Sequence, residues 1–184
     1  MSENVQSMLL APAGLYLVLV VALVLALVRP PRRVGVGART KLVEVFLIGI
    51  ACQCAHIIEE FVTGLHLLYP PLFGLAPLSA EFFVGFNVFW LGVWVLSAFG
   101  VLRGSRVAYF PIWFFGLGMC LNGIVHPLVA VWVAGYFPGL VTSPVVGIMG
   151  VVVTKRLFQI TDLGSHDAPD TSLKTFNRTP DGAG

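Results

Sequence analysis

The sequence is short of charge. Only 11 % of its 184 residues are Asp, Glu, Lys or Arg, under half the share of an ordinary soluble domain. A domain that lives in water is excluded, and a net charge of +2 spread over the chain leaves no basic patch for nucleic acid. Cysteine is scarce too. Cys52, Cys54 and Cys120 have no CxxC spacing, which excludes a disulfide scaffold. Glycine and proline follow no fixed period, so collagen-like repeats are out, and no glycine-rich fingerprint for a nucleotide or flavin occurs.

What the sequence does have is apolar length. Hydrophobic residues make up 57 % and the mean hydropathy is +0.90. Five runs near 8–28, 42–68, 80–102, 107–134 and 139–157 each approach the roughly 20 residues that a helix needs to cross a bilayer. The expected fold is an all-α, polytopic membrane bundle of about five helices, with a short N-terminus over 1–7, a transmembrane domain over 8–161 and a flexible tail over 162–184. Arg29, Arg32, Arg33, Arg39 and Lys41, then Arg103 and Arg106, then Lys155 and Arg156 sit at alternate connections, while the loop 69–79 and the turn 135–138 carry neither Lys nor Arg. The positive-inside rule makes this N-out and C-in, a multi-pass protein of the cytoplasmic membrane. The lipid bilayer is its first partner, and a homo-oligomer or a larger membrane complex is compatible with its apolar faces.

Against that background the polar residues inside the spans stand out, because each costs about 2.5–3.5 kcal/mol at a helix centre if ionised. From Lys41 to Arg103 there is no Lys or Arg, yet His56, Glu59, Glu60 and His66 all fall there. His56 and Glu60 are one turn apart and share a helical face. Asn122 and His126 repeat that spacing on the fourth span, and Asn87 lies at a similar depth on the third. Counted at 1.5 Å per residue, all of these fall in the outer half of the membrane.

Two imidazoles and a carboxylate are a donor set for a divalent metal, Zn, Fe or Mn. The expected site has His56, Glu60 and His126 as ligands, Asn122 and Asn87 in supporting or substrate-binding positions, and Glu59 as general base. The corresponding activity is a membrane-embedded metalloenzyme acting on a lipid-like or isoprenoid substrate. The same residues also suit a metal-free acid/base isomerase or cyclase, in which adjacent carboxylates and a histidine exchange a proton. A third reading is a polar knot that fixes helix packing and does no chemistry. A carrier fits less well, since the acidic stripe stops halfway. His66, near the outer boundary, reads as an interfacial residue, and Cys52, one turn below His56, as a buried thiol with a minor claim as ligand.

His56-Ile57-Ile58-Glu59-Glu60, the later His126 and Tyr136-Phe137-Pro138-Gly139 occur in that order. The chain resembles the HXXEE family of small integral membrane proteins, defined by an HxxEE motif, a further histidine and a YxPG motif. The resemblance covers about residues 42–157 and implies which positions matter; their chemistry has to be argued from the side chains. Read locally, the YxPG segment is a tight outer turn, with Pro138 fixing φ and Gly139 permitting an unusual one, that sets the end of the fourth span.

Overall fold

A computed structural model describes residues 3–32 and 34–163; Arg33 and all of the expected tail beyond 163 lie outside it. Among the described residues the chain is helical: α1 (Glu3–Leu10), α2 (Ala13–Val28), α3 (Val36–Val62), α4 (Leu65–Leu68), α5 (Ala80–Leu102), α6 (Tyr109–Trp132) and α7 (Ser143–Ile160), with one 3₁₀ turn at Pro70–Phe73. Five stretches are long and apolar enough to cross a membrane, namely Val5–Val28 (α1 and α2 together) and the helices α3, α5, α6 and α7. The protein is a multi-pass membrane bundle.

Helix boundaries follow local chemistry. The first span breaks at Ala11–Pro12, where proline supplies no N–H to continue the ladder. The second begins at Val36 and ends at Val62, six residues earlier at each end than the apolar run 42–68 predicts. Gly64, at φ +82, turns the chain left-handed there, and the Thr63 hydroxyl donates back to the Glu59 carbonyl at 2.6 Å. Ser79 caps α5 by accepting the Phe82 N–H at 3.2 Å.

The tightest packing is between α6 and α7, and glycine is the reason. A Cβ on Gly123 would sit 2.6 Å from the Gly147 Cα, so the two backbones touch where any side chain would hold them apart. The core between α3, α5, α6 and α7 is aromatic, with Phe46 and Trp94 each edge-on to Phe115 at 5.0 Å, and Trp113 and Ile112 fully buried.

The basic connections gather at one end. Arg29 donates to the Thr161 carbonyl at 3.2 Å and lies over the Phe158 ring, Arg32 pairs with Asp162 at 3.0 Å, and Arg39 lies against Gly104. The other end carries α4, the 3₁₀ turn and the α6–α7 turn, and there the polar residues of the spans meet.

Candidate metal centre

Helix α3 brings two residues of the site to one face. His56, with no solvent exposure, and Glu60, 7 % exposed, are joined by His126 of α6 at 5 %. Glu60 Oε1 stands 3.2 Å from His56 Nε2 and 3.2 Å from His126 Nε2. The imidazoles meet edge to face, their centroids 4.9 Å apart. The three ligand atoms lie within 4.8 Å of one another, so the group could hold a metal ion. Two donors 3.2 Å apart, each about 2.1 Å from a shared ion, subtend about 100° there, between the octahedral and tetrahedral angles.

Orientation of the rings comes from the far side. His126 Nδ1 lies 2.6 Å from the Pro138 carbonyl, an acceptor only, so this nitrogen carries the proton. His56 Nδ1 lies 2.7 Å from Thr142 Oγ1. That hydroxyl donates its one proton to Glu59 Oε2 at 2.5 Å, and so it accepts from His56. Each imidazole, when neutral, is thereby an Nδ1–H tautomer, which turns two Nε2 atoms and a carboxylate oxygen toward one another. His56 Nε2 is fully buried and has no hydrogen bond, since Glu60 lies within ion-pair distance but off the line a bond would need. With both rings neutral, three acceptors converge, and they repel unless a metal ion or a proton stands between them.

Glu59, expected as general base, has a different place. Its carboxylate accepts four hydrogen bonds from the α6–α7 turn: Tyr136 OH at 2.7 Å, Val141 N–H at 2.9 Å, Thr142 N–H at 2.8 Å and the Thr142 hydroxyl. Consecutive residues diverge by about 100° around a helix, so Glu60 faces the histidines while Glu59 faces the turn. Carboxylate, threonine hydroxyl and His56 form a chain that locks the ring, as carboxylates do behind metal-ligating histidines. The YxPG segment is part of the same shell. Tyr136 holds Glu59, Pro138 holds His126, and Gly139, at φ +85, presses against both rings, where a Cβ would lie 2.7 Å from His126 Cε1 and 2.9 Å from His56 Cε1.

Glu60 and His126 form part of the wall of a cavity of about 310 Å³. Asn87 and Asn122 line it as well, Asn87 donating to the Phe83 carbonyl at 2.9 Å; His56 and His126 donate to the turn and not to these amides. His66 lies outside the metal-capable group, as expected, and is buried. It is 9 % exposed, on the cavity wall, stacked on Phe61 at 5.4 Å and beside Phe83 at 5.7 Å. Gly64 was the available signal, because a glycine there ends α3 and folds His66 back under the loop. Thr142 also escaped the sequence reading, since nothing in a Thr-Ser-Pro helix start points to a partner 86 residues away. Cys52 is not part of the ligand group.

Comparison with family profiles, with characterised proteins and with solved structures finds no match for this chain.

Proposed function

We propose that His56, Glu60 and His126 hold one divalent ion, Zn, Fe or Mn, and that the protein is a membrane-embedded metalloenzyme of the HXXEE type acting on a lipid-like substrate from the outer leaflet. The supporting observation is the pair of locked tautomers. With each Nδ1–H engaged by an outer acceptor, the neutral imidazoles turn their two Nε2 lone pairs and Glu60 Oε1 toward one point. A divalent ion satisfies all three and supplies a Lewis acid that polarises a carbonyl or phosphoryl oxygen. The protein fixes the ligand geometry, keeps the site in a largely apolar wall, and leaves Glu60 and His126 open to the cavity. Glu59 is a positioning residue here: it holds Thr142 and Tyr136, and through Thr142 it orients His56.

Elemental analysis after gentle detergent purification tests this. Near-stoichiometric metal in the unmodified chain, absent from His126→Ala, is the expected result. No metal in either, even after reloading, refutes the metal centre and leaves a proton shared among His56, Glu60 and His126, the arrangement of an acid/base isomerase or of a structural knot. Retention of metal in both His56→Ala and His126→Ala would refute the ligand assignment itself.

A further inference from the structure

The cavity below the triad has a direction. Its wall on α5 runs from Phe82 to Trp94 and on α6 from His126 down to Phe114, twelve residue steps along each helix. At 1.5 Å per residue the lining covers about 18 Å. The two walls are in step. Phe83 stands beside His66 at the site end, whereas Trp94 is against Phe114 and Phe115 at the deep end. One leaflet of hydrocarbon is roughly 15 Å thick, half of a bilayer's apolar core. The cavity therefore has the depth of a single lipid chain.

Polarity is graded along it. Glu60 and His126 are near the top, and Asn122, one turn below His126, and Asn87 form a polar collar about 6 Å further down. Beneath the collar the wall is carried by Trp90, Trp94, Phe114, Gly118 and Met119, and only Gln53 brings an amide to that depth. Gly118 is buried on this wall, and a Cβ added there would meet nothing within 4 Å.

We propose that the cavity takes a single-chain amphiphile, polar head at His126 and Glu60, tail running toward the membrane middle, and that the floor at Trp94 and Phe114 sets the longest tail accepted. The metal-centre reading is needed for the head group alone; the tail channel stands on the lining. A chain in lipid already enjoys an apolar environment, so tails that fit gain little from further methylenes, whereas a tail too long must overpack the floor.

The test is binding of straight-chain alkyl hydroxamates of six to sixteen carbons, and of matched alkyl amides, to the full chain in nanodiscs, with affinity expressed per mole fraction in lipid. Affinity is expected to stay level up to a limiting length and then fall at least tenfold. Gly118→Leu, which grows into open space and should leave thermal unfolding unchanged, moves the limit to shorter chains; Trp94→Ala moves it to longer ones. A length profile without a limit, or a limit indifferent to both substitutions, overturns the proposal. Hydroxamates that bind no better than amides, with the limit still moving in Gly118→Leu, refute the metal centre and leave the channel standing. A hydroxamate advantage without any limit does the reverse.

Discussion

Gly139→Ala perturbs the site through one carbon atom. Two costs add at this position. A left-handed φ of +85 penalises any L residue by about 1–2 kcal/mol, and the new methyl would stand 2.7 Å from His126 and 2.9 Å from His56. The rings cannot yield freely, because Pro138 and Thr142 hold them by hydrogen bonds of 2.6 and 2.7 Å. Overpacking of this kind costs roughly 1–3 kcal/mol, and disturbing the outer contacts of a metal-ligating histidine lowers metal affinity about 10–100-fold. Gly74→Ala is the matched control, with φ +71 and nothing within 4 Å of the added methyl. It carries the backbone cost only, about 1–2 kcal/mol, and should keep full metal. Thermal unfolding in one detergent, read beside metal titration, separates the two variants. Equal losses of stability with equal metal affinity would refute the claim that Gly139 is a contact of the histidines.

Two further outcomes are expected. The Tyr136 phenol is pushed above its ordinary value of 10.0, by burial first and by its hydrogen bond to Glu59. The stability it contributes is full below that ordinary value and is lost as pH climbs through the raised one; in Glu59→Gln the phenol should ionise at lower pH, read as the ultraviolet difference against Tyr136→Phe, and an unchanged titration would remove the Tyr136–Glu59 bond from the account. Gly123→Ala should lower the unfolding temperature by far more than Gly14→Ala, since its methyl meets the Gly147 backbone at 2.6 Å while the methyl at Gly14 meets nothing; equal shifts would mean that α6 and α7 do not cross at these glycines.

Five spans were legible because apolar length is a property of the sequence alone, and the meeting of His56, Glu60 and His126 because a Glu one turn from a His, without a Lys or Arg from 42 to 102, needs something else to hold it. The second span is where the reading slipped. Hydropathy runs on through Leu65, Leu67 and Leu68, but the backbone turns at Gly64, and hydropathy cannot register a change of direction. Glu59 shows a different limit. Its adjacency to Glu60 invited placing both carboxylates at one site, although helical geometry sends neighbours to different faces. The partners on that other face, Tyr136 and Thr142, come from a turn whose local chemistry accounts for its shape and is silent about what its side chains reach.

The hydrogen bonds of Glu59 also impose an order on biogenesis. Their donors lie 77 to 83 residues further along the chain. When α3 enters the membrane, the segments that will satisfy it have not yet been made, and α5 must be inserted before them. Two neighbouring carboxylates wait in or near lipid until α6 and the turn arrive. Docking of that turn satisfies Glu59, orients both histidines and completes the cavity wall in a single event. An interrupted chain that stops between His126 and Tyr136 would thus hold every proposed metal ligand and still lack the contacts that aim them, which makes synthesis of the α6–α7 turn the moment at which this protein acquires its site.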